Sequence, residues 1–275
     1  METQYLERSE GTLAYSDYAG SGQLVLMLPG MGALRSEYRY LAPRLGEAGY
    51  RAVAVDLRGH GESSVPWKTY DVPSVGSDIL AMIEHLGGGA AHLIGTSFAA
   101  APVVWAAAER PDSVRSLVLI APFVRTAKIN PIMKALFWLM INNPWRVRTW
   151  AMYYGTLYPT HKPADFKDYL GQLTENMAQP GRFDASAALG NSSRQPSEER
   201  MKRVQAPTLV IMGTKDPDFP DPAGEGKIVA EQTGGKLELI EGAGHYPQTE
   251  MPEKTAPIVI DFLKVHKNNR PSPIS

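Results

Sequence analysis

Short apolar runs punctuate the chain: LVLML (24–28), RAVAVD (51–56), AHLIG (91–95), SLVLIA (116–121), PTLVIM (207–212) and KLELIE (236–241). They are continuous and rich in β-branched residues, the pattern of strands buried on both faces of a parallel sheet. Between most of them the apolar positions recur with helical period, in SEYRYLAPRLGEAG, VPSVGSDILAMIEHLG, AAPVVWAAAERP and EKTAPIVIDFLKVH. Strands alternating with helices predict a doubly wound α/β fold.

Two stretches break this rhythm. TQYLERS and TLAYSDY alternate apolar with polar residues, which predicts an antiparallel hairpin at the sheet edge, turning at Gly11-Thr12. Between Pro122 and about Gln195 no strand pattern occurs, and this stretch holds three of the 5 tryptophans, Trp138, Trp145 and Trp150, with Phe137, Tyr153, Tyr154 and Tyr158. It predicts a helical insertion before the sheet resumes at Ala206. The expected organisation is a core of 1–122 and 196–267, a helical cap over 123–195, and a flexible polar tail at 268–275.

Composition narrows the function. With 43% hydrophobic and 21% charged residues the chain has the balance of a folded, water-soluble protein. Its 28 basic and 29 acidic residues nearly cancel and form no basic block, so a nucleic-acid partner is not expected. The absence of cysteine excludes disulfides, thiolate catalysis and cysteine-bound metal. ALFWLMI at 135–141 falls far short of the roughly 20 apolar residues that a membrane span needs. The amino terminus lacks the apolar core of a secretory signal, so a cytoplasmic location is the expectation.

The chemistry centres on LIGTSFAAAP at 93–102. Ser97 lies between a buried strand and a helix of small residues, where it either caps the helix or forms the nucleophile of a G-x-S-x-G elbow. Gly95 meets the elbow's demand for a small residue, whereas Ala99 stands where the second glycine is expected. His245 lies in GAGHYPQTEMPE, after the last predicted strand, where ligands of open α/β sheets bind. For a carboxylate, MGTKDPD offers Asp216 and Asp218, of which Asp216 is nearer the strand end and preferred. The chain order Ser97, Asp216, His245, each after a different strand, is that of a hydrolase triad, which tips Ser97 towards the nucleophile.

With these residues, the chain resembles the α/β-hydrolase superfamily over nearly its whole length. Asp56, Arg58, Gly59, His60, Gly61 and Ser63 match its D-x-R-G-x-G-x-S turn, and GTSFA, GTKDP and GAGHYP match its nucleophile, acid and histidine loops. The resemblance implies an eight-stranded, mostly parallel sheet with a helical lid. It also implies an oxyanion hole from the Met31 and Phe98 N–H groups, and a structural role for His60. Pro29-Gly30 replaces a frequent His-Gly, and serine at the elbow departs from haloalkane dehalogenase and epoxide hydrolase relatives, which use aspartate there.

The expected activity is a serine hydrolase acting on small, largely apolar carboxylic esters, with no cofactor and no metal. Lactone or carbon–carbon bond cleavage and a slow-turnover receptor are the alternatives within the fold. For an acidic substrate the insertion offers Arg125, Arg146 and Arg148, and Phe137, Trp138, Trp145, Trp150 and Tyr154 are candidate pocket aromatics. A dinucleotide site at Gly30-Met31-Gly32 is disfavoured because Arg35 replaces the third glycine of that fingerprint.

Overall fold

The computed structural model describes residues 2–18, 20–126 and 144–269, together with Leu139 and Asn142. Among them run the strands β1 (Gln4–Arg8), β2 (Gly11–Asp17), β3 (Leu24–Leu28), β4 (Arg51–Val55), β5 (Ala91–Thr96), β6 (Val114–Ile120), β7 (Thr208–Gly213) and β8 (Lys236–Ile240). They form one sheet in the order β1-β2-β4-β3-β5-β6-β7-β8. β2 is antiparallel to both β1 and β4, and β3 to β8 are parallel. Arg8 pairs with Gly11, so the hairpin turns at Ser9-Glu10 rather than at the expected Gly11-Thr12, because Gly11 is already a ladder residue of β2.

The helices among the described residues, beside short 3₁₀ turns, are α1 (Leu41–Glu47), α2 (Val72–His85), α3 (Ala100–Glu109), α4 (Arg146–Thr156), α5 (Phe166–Met177), α6 (Arg182–Asn191), α7 (Gln195–Glu198), α8 (Pro222–Thr233), α9 (Pro247–Glu250) and α10 (Pro252–Val265). The continuous apolar runs are explained by the layering. Leu26, Leu93 and Leu117 pack with α2, α3 and α8, while their chain neighbours Val25, Ile94 and Val118 pack with α1 and α10 on the other face. Capping sets two helix starts: Asp71 accepts from the Ser74 N–H at the head of α2, and Asp221 from the Gly224 N–H at the head of α8. The segment expected as one helix from Ser36 divides into a 3₁₀ turn, Arg35–Tyr38, and α1. Pro43 then falls in the first turn of α1, where a missing N–H costs nothing.

Asp56 ties the strand ends to this segment. It is fully buried and accepts the Arg35 and Glu62 N–H groups at 2.7 and 3.0 Å, with the Arg35 guanidinium on its other side. Arg35, the residue that breaks the dinucleotide fingerprint, is therefore the counter-ion of Asp56.

Between β6 and β7 the described residues carry helices α4 to α7 and no strand. Their aromatic residues Trp150, Tyr154, Tyr158, Phe166 and Tyr169 pack with Tyr246 of the core. Glu37, wholly buried, accepts the hydroxyls of Tyr154 at 2.7 Å, Tyr158 at 3.2 Å and Thr249. Burial pushes its carboxyl above the usual range. Phe137, Trp138 and most of the 135–141 run lie outside the described residues, as does the expected tail beyond Asn269. No helix among the described residues is long and apolar enough to cross a membrane.

Replacing Asp56 by alanine leaves Arg35 without its buried counter-ion and two N–H groups without acceptors. The expected loss of stability is about 3–5 kcal/mol, read as a lowered urea midpoint. Asp184→Ala, which breaks the more exposed pair with Arg146, should cost below about 1 kcal/mol. Equal midpoint shifts in the two variants would contradict the role given to Asp56.

Candidate active site

Ser97 immediately follows β5 at φ 56°, one of two non-glycine residues with positive φ among those described; the other is Ala121, just after β6. Holding a non-glycine residue there costs on the order of 1–3 kcal/mol and needs support from its surroundings. Gly95 supplies part of it: a Cβ at that position would lie 2.7 Å from the Ala99 carbonyl oxygen and 2.9 Å from the Ala100 Cα. Ala99 itself is fully buried in ordinary right-handed helical geometry at φ −65°, so its methyl is accommodated without strain. The Ser97 carbonyl accepts the Phe123 N–H at 3.1 Å, which ties the turn to the chain leaving β6. Ser97 is not a helix cap. Ala99 holds that position for α3 without a side-chain bond, and the Ser97 hydroxyl makes no hydrogen bond among the described residues.

His245 follows β8 in a loop held by Glu250, a buried carboxylate that accepts the N–H groups of Gly244, Thr160 and His161 at 2.5, 2.8 and 2.8 Å. The His245 N–H donates to the Leu157 carbonyl at 3.0 Å. Its Nδ1 lies 2.8 Å from Asp216 and 3.6 Å from Asp218, which fixes the Nδ1-protonated tautomer and leaves Nε2 without a partner among the described residues. Asp216 accepts the Asp218 N–H at 3.0 Å on its other oxygen, and Asp218 accepts the Tyr153 hydroxyl from α4 at 2.6 Å. Burial alone would lower the histidine's pKa, but the two carboxylates outweigh it and raise it to about 9. Burial pushes Asp218 up, against the pull of His245.

Ser97 and His245 share neighbours on two sides. The Phe123 ring is 5.8 Å from the imidazole, while Phe123's N–H holds Ser97. A Cβ on Gly30 would meet Ser97 Cβ at 3.0 Å and the Tyr246 hydroxyl at 3.2 Å. Next to Gly30, the N–H groups of Gly32 and Ala33 are taken by His60 and by the Gly30 carbonyl, whereas that of Met31 has no partner among the described residues. Phe98 lies in the first turn before α3, where N–H groups lack intrahelical partners.

His60 holds the Gly30 loop in place. Its Nδ1 donates to the Arg58 carbonyl, and its Nε2 accepts the Gly32 N–H at 3.0 Å and the Ser186 hydroxyl at 2.9 Å. Burial lowers it to about 4, so it is neutral. Asp216, Asp218 and His245 bring donor atoms within 4.8 Å of one another. Asp216 is hydrogen-bonded to His245 Nδ1 and Asp218 to the Tyr153 hydroxyl.

Sequence reasoning overlooked Asp218's engagement with Tyr153 and the loop-holding Glu250, and no local pattern pointed to either. Of the cations considered, Arg125 pairs with Glu225 at 2.8 and 3.0 Å, Arg146 with Asp184 at 2.5 Å, and Arg148 is exposed. Trp150 and Tyr154 are buried, but Trp145 is 69% exposed and lines no core. A surface concavity lined by Gly22, Tyr50, Lys264 and Lys267 lies at the amino ends of β3 and β4, opposite to Ser97.

Residues 23–252 match the model of the alpha/beta hydrolase fold family. Among curated proteins the chain is similar to a pimeloyl-[acyl-carrier protein] methyl ester esterase of Neisseria meningitidis, 27% identical over 248 residues, covering 87% of this chain and 92% of that one. It is equally similar, at 27% over 254 residues, to 2-(acetamidomethylene)succinate hydrolase of Mesorhizobium japonicum, covering 89% of each. Among solved structures it superimposes on a bromoperoxidase from Bacillus anthracis with a TM-score of 0.82 at 21% identity, covering 96% and 100% of the two chains, which bears on the fold alone. The eight-stranded sheet and the match over residues 23–252 together establish that this chain belongs to the alpha/beta hydrolase fold family.

Proposed function

We propose that the protein is a serine hydrolase that cleaves small carboxylic esters through an acyl-enzyme. The observation that carries this reading is a buried histidine with Nδ1 on Asp216 at 2.8 Å and Nε2 without a partner among the described residues, linked through Phe123, whose ring lies 5.8 Å from the imidazole and whose N–H holds the carbonyl of a serine at φ 56°. In this reading Ser97 Oγ attacks the ester carbonyl while its proton passes to His245 Nε2. The tetrahedral intermediate collapses, the C–O bond breaks, and the imidazolium returns the proton to the leaving alkoxide. Water, deprotonated by the same nitrogen, then releases the acid and regenerates Ser97. Asp216 holds the tautomer and stabilises the imidazolium. The N–H groups of Met31 and Phe98 bind the developing oxyanion, each worth about 3 kcal/mol.

Helices α4 to α6 would form the cap over 123–195, with Trp150 and Tyr154 on its core-facing side. The esterase relative supports ester chemistry through its name alone, and the substrate remains one of small-molecule size with no cofactor required by these steps. Asp218 acts here as a positioning residue, holding positive charge on His245 and receiving Tyr153 from α4.

Hydrolysis of p-nitrophenyl butyrate should fall by at least about 10³-fold in Ser97→Ala, with wild-type turnover continuing well past one equivalent of product. Equal rates in the two proteins, or a wild-type burst that stalls at one equivalent, would refute the proposal. Because the base must be neutral, kcat/KM should rise with pH through an acidic limb near the raised value of about 9 and fall away as the histidine becomes charged below it. Asp218→Asn removes one of the two carboxylates that raise His245, so this limb should move to lower pH. A limb at the same pH would deny Asp218 that role.

A further inference from the structure

The buried and half-buried arginines of this protein mostly face carboxylates: Arg35 faces Asp56, Arg39 Asp165, Arg58 Asp78, Arg125 Glu225 and Arg200 Glu109. Half-buried Arg194, just beyond α6, faces none among the described residues. Its Nη1 donates to the Ser192 carbonyl at 2.5 Å, the Ser192 hydroxyl at 3.0 Å and the Leu189 carbonyl at 3.3 Å, and its Nη2 reaches the Gly190 carbonyl at 3.4 Å. These bonds cap the carboxyl end of α6. They supply no formal negative charge and leave Nε without a partner among the described residues. Burial pulls the guanidinium down to about 10, with no carboxylate opposing that pull.

Its position gives this unpaired cation a use. The guanidinium carbon stands 4.6 Å from the centre of the Phe98 ring, and Phe98 immediately follows Ser97. In the same segment, a Cβ on Gly190 would come 2.5 Å from Met31 Sδ. Residues 189–194 therefore lie against both residues whose N–H groups are proposed to receive the oxyanion. A cation held there by neutral carbonyls, with Nε unpartnered among the described residues, suits a planar anion that accepts two parallel hydrogen bonds.

We propose that Arg194 is a binding residue for a carboxylate carried by the substrate away from the scissile bond, so that the preferred substrates are half-esters of short dicarboxylic acids. The inference rests on the ester-hydrolase reading and names its substrate class. The carboxylate takes the Nε edge and supplies the counter-charge that the protein withholds, while the ester end reaches Ser97.

The test compares monomethyl glutarate with methyl pentanoate, a neutral ester of similar length, in wild type, Arg194→Gln and Arg194→Lys. Wild type should prefer the charged ester. Arg194→Gln should lower the charged-to-neutral ratio of kcat/KM by about 10- to 100-fold, and Arg194→Lys, a point charge without the planar fork, should fall between. A wild type without that preference, or an equal loss on both esters in Arg194→Gln, would reduce Arg194 to a helix cap and overturn the proposal. Calorimetric titration of glutarate into Ser97→Ala, with and without Arg194→Gln, separates this from failure of the ester reading. If neither ester is hydrolysed but glutarate binds and Arg194→Gln abolishes binding, the ester reading fails and the anion subsite stands. Absent binding, or binding indifferent to Arg194, removes the subsite.

Discussion

The turn between β5 and α3 is the constraint on which the remaining arrangement depends. A serine at φ 56° is held only if strand, helix and flanking loops leave it no alternative, and each of its neighbours contributes to that. Gly95 admits the helix backbone against the strand. The Phe123 N–H takes the Ser97 carbonyl, and the Gly30 loop closes over the side-chain face. Sheet order completes the placement, since β5 lies between β3 and β6 near the centre, with the loops after β3 and β6 on either side of it. The strain is therefore distributed over long-range contacts made by the central parallel strands.

Around this turn, buried charge is arranged in two different ways. Asp56 with Arg35, and Glu37 with its three hydroxyl donors, are satisfied groups that join segments far apart in sequence. Such groups cost desolvation and repay it only through full pairing, so they specify which segments meet. His245 differs in facing two carboxylates with a single Nδ1 proton, a surplus of negative charge that favours the cationic imidazole. Arg194 is the converse, a half-buried cation held by neutral carbonyls. The satisfied groups fasten the frame, and the two unbalanced ones lie against Phe123, which bonds the Ser97 carbonyl, and Phe98, which follows Ser97.

Much of the frame was legible in the linear pattern. The six apolar runs each became a strand: in β3 to β7 both faces are covered, which needs apolar residues at successive positions, whereas β8 is the more exposed edge strand. His60, expected to organise its loop, bonds the Arg58 carbonyl and the Gly32 N–H, and of the two candidate acids Asp216 lies 2.8 Å and Asp218 3.6 Å from His245 Nδ1. The hairpin turn was misplaced by two residues, since glycine marks close packing as readily as a turn and Gly11 lies inside β2. Trp145, grouped with the pocket aromatics by composition, is exposed on the surface.

Sequence alone determined the fold class, the strand and helix order and the short list of Ser97, Asp216 and His245, because period and local turn chemistry are properties of neighbouring residues. Tertiary structure decided that Ser97 occupies a left-handed turn, its hydroxyl without a partner among the described residues, rather than capping a helix, and that Ala99 fits without strain. It also decided that Asp218 faces His245, that Glu250 holds the loop before it and that Arg194 lies over the Phe98 ring. Those outcomes depend on which side chains from distant segments share a low-dielectric interior, where one missing or surplus partner changes a group's charge, and no linear pattern encodes that pairing.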